Sequence, residues 1–151
     1  YQFVLGKEFS DMSWFGRGPH SNYVDRKRST PVGLFAGKVE DQWVNYIRPQ
    51  ECGNKTDVKF VELINEEKTK ALVVTSGLNV EATALGFTPQ EISEYSHPHK
   101  MPENSKTVLR VNGYQMGIGG DDSWGAKTHI EYTILTNKNY SFSISFVGSI
   151  K

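Results

Sequence analysis

A strict two-residue alternation near the carboxyl end constrains what this chain can fold into more than any other feature. Tyr140, Phe142, Ile144 and Phe146 alternate with Ser141, Ser143 and Ser145. Successive side chains of a strand point to opposite faces, so one face is apolar and the other hydroxyl, as in a sheet with one side against a core. Upstream, Ile130, Tyr132 and Ile134 alternate with Glu131, Thr133 and Leu135. The polar stretch Asn137-Lys138-Asn139 separates the two runs, which together predict an antiparallel terminal hairpin.

Similar patterning predicts strands over 1–5, 32–39, 42–47, 57–64, 69–75, 79–87 and 107–112. Asn112-Gly113 fits either a tight hairpin turn or a bulge in one long strand. One short helix is predicted near 89–96. Thr88 caps it, Pro89 takes the first helical position where no N–H is needed, and Glu91 completes a capping box. Pro98 disfavours helical geometry at His97 and stops it near Ser96. With so little helix, and turn signals about every eight to twelve residues, the pattern predicts an all-β chain of β-sandwich type, a single domain over 1–151.

A chain of 151 residues is long enough to bury a core without a disulfide or a metal. Its 17 basic and 17 acidic residues cancel, so no electrostatic footprint for nucleic acid exists. Cys52 is the sole cysteine and lies in the polar run Glu51-Cys52-Gly53-Asn54, where it reads as a small loop residue and not a nucleophile. The longest apolar run, Ala71-Leu72-Val73-Val74, falls far short of a membrane helix and fits a strand. The first residues, Tyr1 to Leu5, carry no signal-peptide pattern and no initiator Met, as expected of a segment cut from something larger.

The segment from Met116 to Gly125 is the most unusual. Four glycines, at 117, 119, 120 and 125, permit dihedrals that other residues avoid and imply a compact loop. Its spacing is neither a dinucleotide fingerprint nor a calcium loop. Asp121 and Asp122 are expected to accept backbone N–H groups that hold the loop's shape. Trp124 is either a lid over the core or an exposed stacking platform, and composition favours the lid. A platform would suit the apolar C–H face of a sugar, but covering roughly 80 Å² at ~25 cal/mol/Å² is worth only about 2 kcal/mol. Millimolar binding needs about 4 kcal/mol, so Trp124 alone makes no useful binder. Trp14 and Trp43 read as core or sheet-face residues. His97 and His99 could offer imidazoles to zinc, but no third ligand has motif spacing, and polar loop contacts explain them better. Asp25, Arg26 and Arg48 read as ion pairs or turn contacts. No pair of acidic residues is marked out as the two carboxyl groups that glycoside hydrolysis needs.

Four segments together resemble the small-chain, or fifth, domain of the large bacterial β-galactosidases of glycoside hydrolase family 2. They are Trp14-Phe15-Gly16-Arg17-Gly18-Pro19-His20-Ser21-Asn22-Tyr23-Val24-Asp25-Arg26, Tyr46-Ile47-Arg48-Pro49-Gln50-Glu51-Cys52-Gly53-Asn54-Lys55-Thr56-Asp57, Ser96-His97-Pro98-His99, and Met116-Gly117-Ile118-Gly119-Gly120-Asp121-Asp122-Ser123-Trp124. The resemblance runs over nearly the whole chain, and the last motif is the most specific. Ser21 stands where the pattern usually has Glu, Val24 where it often has Pro, and Cys52 where Asn is more usual.

The resemblance implies that this chain is the C-terminal portion of a longer module, a supersandwich similar to galactose mutarotase. It implies a parent that hydrolyses terminal β-D-galactosides with retention, through two glutamates on a separate TIM barrel, so the segment alone is expected to be inactive. It assigns Trp124 to the sugar-binding pocket, against the composition-only preference for a lid, with Gly119, Gly120, Asp121, Asp122 and Ser123 shaping the loop that aims it. No catalytic residue and no metal ligand is expected here, since the family's magnesium and sodium lie mainly outside this region.

The expected partners are a galactoside, the parent's barrel and further copies in a homo-oligomer, with neither nucleic acid nor membrane. An open strand edge or apolar face on the isolated chain is expected to recruit partners. Two rival readings are a free-standing carbohydrate-binding module, which should hold galactose by itself, and a mutarotase-like epimerase. The epimerase needs a His acid and a Glu base in one cleft, and no Glu is so placed.

Overall fold

The computed structural model describes residues 1–150. Its strands are β1 (Gln2–Gly6), β2 (Asp11–Arg17), β3 (Val32–Lys38), β4 (Lys55–Ile64), β5 (Lys70–Leu85), β6 (Lys106–Asn112) and β7 (Ser145–Ile150). They form one seven-stranded sheet in the order β1-β6-β5-β4-β2-β3, with β7 pairing β5 off this path. All six pairings are antiparallel. The all-β class is as the alternation predicts.

The core lies on one face of β2, β4 and β5, where in-register rungs stack across the strands. Trp14 faces Val61, and Val61 faces Val74; Met12 faces Leu63, and Leu63 faces Leu72. All six are buried. Burying each such aliphatic or sulfur-bearing side chain is worth ~1.5–3 kcal/mol, which is why these strands occupy the middle of the sheet. Ala82, Ala84, Leu109 and Val111 extend the same cluster across β5 and β6. Trp14 stacks on Phe35 of β3 at 5.4 Å and donates its indole N–H to the Arg17 carbonyl at 3.0 Å.

β5 is one 16-residue strand where two, over 69–75 and 79–87, are expected. Residues 76–78 fall between the two expected strands, but different neighbours hold each half of the observed one. β7 pairs residues 70–75 and β6 pairs residues 81–85, while β4 runs along the opposite edge. β4 slips register between Lys55 and Phe60, and Asp57 there takes a left-handed φ of 56°. Its carboxylate sits between the cations of Arg17 and Lys27. Burial pushes this carboxyl up, but the two cations outweigh it and hold it below the usual range.

The predicted terminal hairpin does not form. Residues 130–132 are a 3-10 turn, residues 133–144 are not strand, and the last strand begins only at Ser145 and pairs with β5. The alternation is still physical: Phe142 and Ile144 pack against the core while Ser141 and Ser143 face outward. An extended segment lying on a core alternates as a strand does, with or without a ladder partner. The expected strand 42–47 is likewise absent, because Glu40–Gln42 form a 3-10 turn and Trp43 leads into loop. Trp43 nonetheless packs with Val44, Tyr46 and Phe87 on a second cluster formed by Cys52, Leu85 and Ile92. β2 lies outside the strands that the patterning predicts. Chain 112–113 is neither hairpin turn nor bulge: β6 ends at Asn112, and the chain departs into the glycine-rich loop.

The helix forms as predicted. It is α1 (Pro89–Glu94), with the Thr88 hydroxyl accepting the Glu91 N–H and the Glu91 carboxylate accepting the Thr88 N–H. Cys52 is fully buried, accepts the Val44 N–H, and has its thiol pushed up by burial. It is an inert core residue and not a nucleophile.

Candidate functional site

The first two sequence motifs are joined by a buried polar network. Asn22 donates its backbone N–H to the Asn54 carbonyl, and its side-chain oxygen accepts the Thr56 N–H, each at 2.8 Å. Asn54 returns a side-chain N–H to the Asn22 carbonyl at 3.0 Å and accepts the Thr83 hydroxyl at 3.1 Å. Both asparagines are buried, and a buried amide stays folded only where its donors and acceptors are met in this way. The network anchors the turn that follows. Tyr23 and Arg26 exchange backbone hydrogen bonds at 2.8 and 3.2 Å, Tyr23 is buried, and the Arg26 guanidinium lies over its ring. Asp25 therefore projects from the tip of a fixed turn.

Its target is the glycine-rich loop. Asp25 Oδ2 accepts the Gly119 N–H at 2.8 Å, 94 residues away in sequence. The loop's base is held by Gly117, which donates its N–H to the Tyr132 carbonyl at 2.8 Å and accepts the Thr128 hydroxyl at 3.1 Å. Gly120 packs so tightly on the Ala126 backbone that a Cβ there would collide with it. Gly125 has φ of 114°, a conformation glycine adopts without strain.

Asp122 accepts the N–H groups of Trp124 at 2.7 Å and Ala126 at 3.2 Å, as expected of a loop-shaping aspartate. Asp121 does otherwise. Its carboxylate pairs with His129 Nε2 at 2.8 Å, and Glu131 stands 3.8 Å from the other ring nitrogen. The bond from Asp121 and the nearby Glu131 raise the pKa of His129. Ser123 is exposed.

Trp124 is 95% exposed. The core lid that composition favours is therefore not formed; the indole stands out from the loop tip. Beside the loop's base lies an open groove of about 580 Å³, lined by Asp25, Arg26, Gly119, Asp121, His129 and Glu131 among others. Tyr46 and Gln50 also line it, and Trp124 is not among its lining residues. Carboxylates, a guanidinium and an amide around one groove offer the alternating acceptors and donors that a polyhydroxylated ligand uses.

Elsewhere, His97 and His99 stack ring on ring at 5.3 Å. Among the described residues no group of three or more His, Cys, Asp or Glu is placed to hold a metal ion. Of the groove residues, His129, Glu131 and Tyr132 carry no motif; Tyr46 and Gln50 lie in the second motif and Asp25 in the first, where it reads from sequence only as an ion-pair or turn contact. Only the fold, which brings residues 23–26 under residues 117–121, makes them neighbours.

A family model described as β-galactosidase small chain matches residues 1–146. Among similar proteins, a β-galactosidase of Priestia megaterium is 45% identical over 92% of this chain, and one of Halalkalibacterium halodurans is 36% identical over 93%. A β-galactosidase of Lactobacillus delbrueckii subsp. bulgaricus is 34% identical over 89%. The chain spans only 13–14% of the length of these three relatives.

Proposed function

The chain belongs to the β-galactosidase small-chain family, and from that premise we propose that it is the C-terminal β-domain of a retaining β-galactosidase, contributing Trp124 to the galactoside site. The reactive carboxyl groups belong to a TIM barrel elsewhere in the parent, and the segment alone hydrolyses nothing. It forms one part of a larger supersandwich, and the parent assembles as a homo-oligomer. No residue of this segment is assigned to magnesium, sodium or another metal.

The observation that carries the reading is the exposed indole on a tethered loop. A large apolar ring in water on a monomeric surface is a cost unless something covers it. Here the backbone beneath it is fixed by Asp122, and the loop's base by Gly117 and Gly119. A sugar face laid on that ring gains about 2 kcal/mol. That is a useful share of a Michaelis complex and too little for a free-standing binding module, which is why the domain reading is preferred over the module.

Trp124→Ala in the intact enzyme is expected to raise KM for lactose and for a nitrophenyl galactoside by up to about 30-fold, the equivalent of that contact. Folding should be nearly unchanged, because the side chain packs on nothing. Wild-type KM values with both substrates would overturn the assignment.

A further inference from the structure

We infer that Asp25 is a positioning residue for the galactoside site: its carboxylate pins the glycine-rich loop from below and so sets where Trp124 stands. The inference rests on the stacking reading of Trp124 and goes beyond it, since it assigns a residue 99 positions away in the chain, on a different loop.

Three observations on the two loops meet here. The turn carrying Asp25 is immobilised by the reciprocal Tyr23–Arg26 hydrogen bonds and by Tyr23, which is only 1% exposed. The carboxylate reaches the loop at two glycines. Oδ2 accepts the Gly119 N–H, and a Cβ on Gly117 would lie 2.7 Å from the Asp25 Cγ and Oδ2. Gly117 is thus bare because Asp25 occupies the space a side chain would need. Finally, Oδ1 of Asp25 is buried with no hydrogen-bond partner among the described residues. Burying a carboxylate oxygen without a protein partner costs stability, so what explains the placement is the bond its other oxygen makes.

The mechanical consequence follows from the order of tethers. Gly117 is tied to Tyr132 and Thr128, Gly119 to Asp25, and Asp121 to His129, while the tip from Asp122 to Ala126 closes on itself. The Asp25 bond is the middle tether and the one that comes from outside segment 117–132. Without it the tip keeps its own turn but hinges at Gly119-Gly120. The indole must then be ordered by the substrate, which weakens binding and leaves the bond-breaking step alone.

The test uses the intact enzyme with Asp25→Ala, Asp25→Asn and Asp25→Glu. Asparagine keeps an acceptor for Gly119. Glutamate keeps the charge but overreaches into the Gly117 backbone. Alanine and glutamate are expected to raise galactoside KM about 3- to 10-fold, the range that ordering one side chain costs. Their kcat should stay within about twofold of wild type, and asparagine should restore KM. Amide exchange over 116–124 should accelerate in the alanine and glutamate variants and not in the asparagine variant. Adding Asp25→Ala to Trp124→Ala should raise KM no further, because the tether acts through the ring.

Unchanged exchange over 116–124, or KM effects of Asp25→Ala and Trp124→Ala that multiply, would overturn the inference. So would an asparagine variant as impaired as the alanine one. If Asp25→Ala does not fold, the glutamate–asparagine contrast decides. If Trp124→Ala alone leaves KM untouched, the stacking reading fails, and the tether is judged by amide exchange alone.

Discussion

Glu81 shows how a single buried acid couples this domain to pH. It lies on β5, takes a side-chain N–H from Asn54, and has its carboxyl pushed up to about 7 by burial. Below the ordinary carboxyl range of about 4.5 the group is protonated whether the chain is folded or not. As pH rises toward 7 the unfolded chain ionises first, the folded state holds more protons, and stability falls until both forms are charged. Glu81→Gln is therefore expected to flatten the fall in melting temperature between pH 5 and 8, with the variant the more stable of the two at pH 8. A melting-temperature profile for wild type that rises over that window would contradict it.

The same residue scale shows what the chain spells out locally and what it does not. The Gly-Gly-Asp-Asp-Ser-Trp segment announces itself, since clustered glycines and a tryptophan are rare together. Asp122 takes the loop-shaping role that its turn chemistry suggests, whereas Asp121 prefers an imidazole eight residues on, a contact no turn rule contains. Asp25 reads from sequence only as an ion-pair or turn contact within the first motif. Its meaning comes from a hydrogen bond across 94 residues, which local spacing cannot encode.

At the scale of elements, the helix and the strands are written in the chain with different clarity. A capping box is a local device: Thr88, Pro89 and Glu91 satisfy orphan N–H groups within one turn, so the sequence contains the whole interaction. Thr88→Ala is expected to cost about 1 kcal/mol, read as a lowered denaturation midpoint with unchanged slope. Lys106, which pairs with the Glu91 carboxylate, would hold part of the turn in place and keep the loss from being larger. Strands, by contrast, are completed by partners. Residues 140–146 alternate as a strand should, yet the ladder begins only at Ser145, where β5 offers a free edge. β5 runs through the gap between the two expected strands because β7 and β6 take its two halves in turn, so two distant neighbours join what the local pattern separates. β2 is hard to read from sequence because Gly16 interrupts its pattern, although that glycine is required: a Cβ there would press on the Val58 backbone.

For the whole molecule, the decisive fact is that the sheet has a second face. Phe15 pairs with Leu34 and Phe60 on the side away from the core, and Leu34 is 69% exposed. Phe146, Val147 and Ile150 on β7 are exposed as well, and among the described residues β1 and β3 end the sheet with unpaired edges. Apolar side chains over open backbone donors and acceptors are what a second copy can use, by adding strands or by stacking faces. The isolated 151-residue chain is accordingly expected to self-associate with rising concentration in sedimentation velocity runs. Leu34→Lys should shift it toward monomer, since the residue faces water and carries no core contact. In the intact β-galactosidase proposed above, the sign should reverse. If other parts of the parent cover this face, a lysine at position 34 meets an apolar surface instead of solvent, and the enzyme's melting temperature falls. A chain that stays monomeric at high concentration, together with a parent indifferent to Leu34→Lys, would mean that this face has no partner in either setting.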